Sequence, residues 1–150
     1  MPLTGIDTNF TLPSRYYTSN EIFQEELERI FYSRWIYVAC EADLPKTGDY
    51  VALKIGTRSF FLQRTERGEV RGFYNVCRHR GHELVSGEKG KCRRLVCPYH
   101  NWTYDLEGKL LRAHGMPTDF PTENFGLNPI EVAVIGGLIY VCLTTPAPTD

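Results

Sequence analysis

Apolar positions change period along this chain. Ile22, Phe23, Leu27, Ile30, Phe31 and Trp35 recur at roughly helical spacing, and Thr18 to Glu21 has the form of a capping box. One amphipathic helix is therefore predicted near the N-terminus. Beyond it, apolar residues gather in short runs rich in β-branched and aromatic side chains: Trp35–Val38, Tyr50–Ile55, Ser59–Gln63, Val70–Val76, Leu95–Cys97, Trp102–Asp105, Glu131–Ile135 and Leu138–Leu143. Turn chemistry separates them, notably "KTGD", "IGTR", "TERGE" and "LEGK". Many short strands so spaced predict a mainly β protein, an antiparallel sandwich or small barrel with an N-terminal helix. His114 to Pro129, rich in Pro, Gly, Asn and Asp, reads as a long surface connection.

Composition narrows the class. The chain has 150 residues, enough for one domain with a hydrophobic core, and 42% apolar with 23% charged residues is ordinary for a globular protein. Seventeen basic residues against eighteen acidic leave no global field for nucleic acid or an anionic membrane. "MPLTGIDTNF" lacks the positive start and apolar run of a signal peptide, and Val132 to Leu143, split by Gly136-Gly137, is too short to span a bilayer. The expectation is a cytoplasmic protein. In a reducing compartment, five cysteines beside histidines point to metal rather than disulfides.

Candidate chemistry lies in two matched pairs. "NVCRHRGHEL" holds Cys77 and His79; "LVCPYHNWTY" holds Cys97 and His100. Two hairpin loops, each with one thiolate and one imidazole, can converge on a metal site. A tetrahedral zinc and a two-iron, two-sulfide cluster with Cys on one iron and His on the other both suit two Cys and two His. Zinc fingers usually pair like with like in each loop, so mixed pairs favour the cluster; a structural zinc module stays as the alternative. The stretch from Asn75 to His100 is locally basic, with Arg78, Arg80, Lys89, Lys91, Arg93 and Arg94 against Glu83 and Glu88.

With their flanks, "CRHRGHEL" and "CPYHNWTYDLEGKL" resemble the Rieske iron-sulfur domain that begins the large subunit of Rieske non-haem iron oxygenases, the aromatic-ring-hydroxylating type included. "TLPSRYYTSNEIFQEELERIFYSRWIYV" resembles the leading segment of those subunits and "GGLIYVCL" their closing strand, so the likeness covers nearly the whole chain. Asn101 stands where the family usually has Gly; Asn tolerates the left-handed backbone, so the loop is expected to survive.

The resemblance implies a [2Fe-2S] cluster with Cys77 and Cys97 on the buried iron and His79 and His100 on the outer one. It implies a ferredoxin or reductase as electron donor and a mononuclear non-haem iron as acceptor, in the catalytic domain of the same or a neighbouring subunit of a homotrimer. Respiratory Rieske proteins carry a sulfur-bonding Ser and two extra cysteines where this chain has Trp102, His82 and Tyr99. Fewer donors to the sulfurs imply a potential toward the low end of the Rieske range, roughly −150 mV. Oxygen chemistry would need two His and a carboxylate, but only His82 and His114 remain, and no such cluster is present in the sequence. The expected division is an N-terminal segment over 1–36, a Rieske domain over 37–145 and, from 146 to 150, the start of a linker to a catalytic domain. The expected function is electron transfer within an oxygenase; a stand-alone Rieske ferredoxin is the alternative. "RGHELVSG" is most similar to the branch that oxidises quaternary amines such as choline, betaine or carnitine. The reaction remains open between dihydroxylation, monohydroxylation and demethylation.

Other residues have plain readings beside functional ones. Arg78 and Arg80 suit an acidic partner or a solvated surface. His82 suits a hydrogen bond near the cluster or a surface loop. Tyr99 and Trp102 suit packing around the site. Cys92 is expected as a free thiol, and Cys40 and Cys142 as small buried side chains.

Overall fold

The computed structural model describes residues 11–148. Residues 1–10, read as carrying no signal peptide, and 149–150, read as linker, lie outside the described residues. The strands are β1 (Ile36–Cys40), β2 (Asp49–Ile55), β3 (Arg58–Arg64), β4 (Val70–Tyr74), β5 (Lys89–Lys91), β6 (Leu95–Val96), β7 (Thr103–Tyr104), β8 (Leu110–Arg112), β9 (Pro129–Ile135) and β10 (Leu138–Cys142). Seven form one antiparallel sheet in the order β1-β10-β9-β4-β3-β2-β5, and β6-β7-β8 form a second, smaller one. All eight predicted runs contain strand. The two strands that went unpredicted, β5 and β8, are three residues each, and "KGK" carries no apolar alternation at all.

Two hairpins turn on glycine, the first at the predicted "IGTR". Ile55 pairs with Arg58 across Gly56-Thr57, and Ile135 with Leu138 across Gly136-Gly137. Both glycines of the second turn have positive φ, the conformation whose twist matches the flanking strands.

The period of β3 explains why there are two cores. Phe60 and Leu62 point into one cluster with Leu44, Val51, Ile139 and Val141; Phe61 points the other way into a cluster with Phe73, Leu95, Trp102, Tyr104 and Leu110. A strand buried on both faces reads as a continuous apolar run rather than an alternation. Each such large side chain, fully buried, contributes roughly 1.5–3 kcal/mol. Gln63, also on β3 and fully buried, donates from Nε2 to the Leu106 carbonyl and ties the large sheet to the loop after β7.

The N-terminal helix needs correction in two respects. Its cap is Ser19, whose hydroxyl accepts from the Ile22 N–H at 3.4 Å, while Thr18 closes the preceding turn α1 (Arg15–Thr18) by donating to the Ser14 carbonyl. Helix α2 (Asn20–Glu26) then loosens into a π-helical turn over Leu27–Phe31. Nor is its apolar stripe buried: only Leu27 and, just beyond, Tyr32 enter the core, whereas Phe23, Ile30 and Phe31 stay exposed. Tyr32 anchors the segment. Its carbonyl accepts from Leu143 N–H, its hydroxyl accepts from Thr57 N–H, and the Arg58 guanidinium lies 3.8 Å from its ring centroid.

The 114–129 connection is not purely a surface loop. A 3-10 turn over Thr122–Phe125 brings Phe120, Phe125 and Leu127 against the second core, and Pro129 already starts β9.

Candidate metal centre

Two six-residue loops carry the four predicted ligands. The first, Cys77 to His82, follows β4; the second, Cys97 to Trp102, joins β6 to β7. Each is closed by the same two backbone bonds. Cys77 N–H donates to the His82 carbonyl (2.8 Å) and Gly81 N–H to the Cys77 carbonyl (3.0 Å). In the second loop Cys97 N–H donates to the Trp102 carbonyl (2.8 Å) and Asn101 N–H to the Cys97 carbonyl (2.9 Å). The fifth position is left-handed in both, at φ 73° for Gly81 and φ 57° for Asn101, so Asn does fill the place expected of Gly.

This shared fold sends the pairs to different depths. Cys77 and Cys97 are 2% and 1% exposed and belong to the second core, and neither is in a disulfide. The imidazoles of His79 and His100 are partly exposed, with ring centroids 4.6 Å apart. Asn75, just ahead of the first loop, holds it to the following segment. Its Oδ1 accepts from Leu84 and Val85 N–H (2.9 and 3.1 Å), and its Nδ2 donates to the Val85 carbonyl (2.9 Å).

Electrostatics act in opposite directions on the thiol and the imidazole. Burial pushes the Cys77 thiol up, while the Tyr104 hydroxyl, 3.4 Å from its sulfur, draws it back toward thiolate. Burial, and then Cys77 itself, hold the Tyr104 phenol above its ordinary value, so it stays a donor there; its oxygen also accepts from the Arg78 N–H at 3.2 Å. His100 is held below the ordinary imidazole value, by desolvation first and then by His79, Arg80 and His82. That favours the neutral form a metal needs.

One orphaned atom tests the fit. His79 Nδ1 is buried with no hydrogen-bond partner, an arrangement that costs about 1–3 kcal/mol unless something accepts its lone pair or proton. A metal ion beside it answers that demand. Among the described residues no group of three or more His, Cys, Asp or Glu could hold one metal ion. A two-iron cluster asks for only two protein donors per iron, which the depth sorting of thiols and imidazoles supplies.

The remaining candidates are placed as follows. Arg78, Arg80 and His82 are exposed around the loop tips, and His82 Nδ1 lies 2.8 Å from the Glu83 carbonyl oxygen. Tyr99 is 56% exposed yet its ring lies 3.8 Å from that of His100; Trp102 is 1% exposed and stacks on His79. Cys92 is half-buried, Cys142 fully buried, and Cys40 only half-buried, with its sulfur 3.2 Å from the Tyr37 hydroxyl. Sequence reasoning missed Asn75 and Tyr104. Both lie inside the quoted motifs, but their partners are 9 to 27 residues away.

Comparison with known proteins agrees with this geometry. The glycine betaine monooxygenase oxygenase subunit of Pseudomonas aeruginosa is 40% identical over 147 residues, covering 97% of this chain and 34% of the relative. The carnitine monooxygenase oxygenase subunit of Acinetobacter baumannii is 38% identical over 138 residues, 90% of this chain and 37% of the relative. This chain thus spans about a third of the length of these curated relatives. Among solved structures, a quaternary ammonium Rieske monooxygenase in complex with L-carnitine superposes with a TM-score of 0.84 at 36% identity, over 91% of this chain and 39% of that one. Naphthalene 1,2-dioxygenase from Rhodococcus sp. bound to indole also gives 0.84, at 34% identity over 94% of this chain and 33% of that one. The family model described as the Rieske [2Fe-2S] domain matches residues 34–128, a span that holds both loops, the three-stranded sheet they frame and most of the large one. This chain therefore belongs to the Rieske [2Fe-2S] domain family.

Proposed function

We propose that this chain is the electron-transfer domain of the oxygenase subunit of a Rieske non-haem iron monooxygenase acting on a quaternary amine. The observation that carries the reading is the sorting by depth: two buried thiols and two adjacent, partly exposed imidazoles on loops closed by identical hydrogen bonds. Cys77 and Cys97 would hold the inner iron, His79 and His100 the outer one. Bound there, a [2Fe-2S] cluster supplies a one-electron redox couple.

The chain's own residues do the rest. The second core excludes water from the thiol side, and Tyr104 would donate toward the Cys77 sulfur. The two imidazoles are partly exposed, which suits a short exit for an electron. Arg78 and Arg80 beside them suit an acidic ferredoxin or reductase as donor. Residues 37–145 form the cluster domain in this reading, 1–36 a lead-in, and 146–150 the start of a connection to a domain bearing the mononuclear iron, on the same or a neighbouring subunit.

The substrate class rests on the betaine and carnitine oxygenase subunits among the similar proteins. The oxygen-uptake test below separates this class from aromatic acids.

Anaerobic purification with iron and sulfide counts, and an electron paramagnetic resonance spectrum after dithionite reduction, tests the first part. About two irons and two sulfides with the low average g of mixed Cys/His ligation are expected, and Cys77→Ser or His79→Ala should lose them. One zinc and no colour overturns the reading. For the substrate, oxygen uptake by the full-length protein with its reductase is expected to rise with quaternary amines and not with aromatic acids. A coding sequence beyond Asp150 without a carboxylate-His-His set would instead leave a stand-alone electron carrier.

A further inference from the structure

Trp102 is the second residue beside the centre with an orphaned polar atom: its indole N–H is buried and finds no acceptor among the described residues. A phenylalanine would fill core without that cost, about 1–3 kcal/mol for a buried unsatisfied donor. What the surroundings use is therefore the flat face of the ring rather than its N–H. The indole lies parallel to the His79 imidazole, 6° between planes and 4.8 Å between centroids, an offset stack. Behind it Phe120 and Phe125 meet it edge-on at 5.5 and 5.8 Å, and they pack on each other at 4.7 Å.

The arrangement is asymmetric between the two imidazoles. His79 is backed by a ring that is itself clamped by two others inside the core, all carried by the 114–129 connection and the second loop. His100 is covered by Tyr99, which is mostly solvent-exposed. An imidazole on a free Cβ–Cγ bond samples a broad range of ring orientations. A fixed flat neighbour removes all but those parallel to it, so the plane of His79 is set before any metal arrives.

We propose that Trp102 is a positioning residue for the metal centre: its clamped indole fixes the plane of His79 and hence the direction of its metal-binding nitrogen. The proposal rests on the assignment of His79 as an iron ligand. Trp102 touches no substrate and need donate no hydrogen bond; what matters is its flat, immobile face.

The test compares Trp102→Phe, which keeps a flat ring, with Trp102→Leu, which keeps an apolar filler and loses the face, in the full-length cluster-loaded protein. The readout is the set of histidine nitrogen-14 couplings from electron–nuclear double resonance on the reduced cluster, with iron content measured alongside. Trp102→Phe should keep the wild-type couplings and g values. Trp102→Leu should shift the couplings of one histidine only and broaden the g values. If Trp102→Leu does not load iron, the phenylalanine variant decides, since a spectrum altered there overturns the role of the flat face. Wild-type couplings in a fully loaded Trp102→Leu overturn the proposal outright. A wild-type protein with no Rieske signal would instead overturn the ligand assignment beneath it, so the two failures are distinguishable.

Discussion

At the residue scale, the environment of the loops rests on single side chains whose loss can be read directly. With Cys77 bound to iron as a thiolate, the Tyr104 hydroxyl 3.4 Å from its sulfur would be the donor of the pair, a contact that would steady added negative charge on the cluster. Tyr104→Phe is expected to lower the reduction potential by roughly 40 mV, the one-electron equivalent of about 1 kcal/mol for one hydrogen bond, read by a redox titration. Such a donor would raise the potential, against the low value that the missing Ser and cysteines imply. Asn101 offers a second reading. At φ 57° it occupies the left-handed region, so Asn101→Gly should leave thermal stability and cluster content unchanged or slightly improved, while Asn101→Ala costs about 1 kcal/mol in denaturant unfolding. The left-handed need was legible from the motif, since so few residue types satisfy it. The partner of Tyr104 was not, because a hydroxyl 27 residues from its sulfur leaves no periodic trace.

At the scale of elements, period told strand from helix, and burial told which faces mattered. Runs with alternating or continuous apolar residues became strands, whereas β5 and β8 escaped because a three-residue edge strand is held by pairing with its neighbour rather than by its own composition. The helix shows the converse. Its spacing predicts an apolar stripe, but Phe23 and Ile30 remain 48% and 47% exposed, so the spacing encoded a face without a partner among the described residues. The first ligand loop depends on Asn75 in the way a strand depends on its ladder. Asn75→Leu strands two N–H groups and one carbonyl in the interior, and is expected to destabilise the domain by about 2–4 kcal/mol in chemical unfolding, with loss of cluster before loss of the large sheet.

At the scale of the molecule, the two cores divide the labour. The cluster containing Leu44, Phe60, Leu62, Ile139 and Val141 holds no predicted ligand, whereas Cys77 and Cys97 are members of the other. Removing the metal with a chelator under reducing conditions should therefore speed hydrogen exchange in both ligand loops and in β6, β7 and β8. β3, β9 and β10 should keep their protection. Acid sensitivity belongs to this scale as well, because Asp43 and Lys89, 46 residues apart, join the segment after β1 to β5. The Lys89 ammonium, then the Cys40 N–H, hold the Asp43 carboxyl below its ordinary value. Its contribution is thus present in full above the ordinary carboxylate range and disappears as the pH falls through the lowered value. In Asp43→Asn this part of the acid dependence of the melting temperature should vanish.

Local chemistry in the chain dictates the strand-rich class, the turns and the left-handed place of Asn101, and it singles out Cys77, His79, Cys97 and His100 as candidate ligands. These depend on local chemistry: two-residue alternation, the backbone freedom of Gly and Asn, and the scarcity of Cys and His. Tertiary structure alone decided the depth at which each pair sits, the matching closure of the two loops, and the contacts of Asn75, Tyr104 and Trp102 around them. Such contacts join residues far apart in the chain, and their energies depend on burial, which no residue has until the sheets have packed.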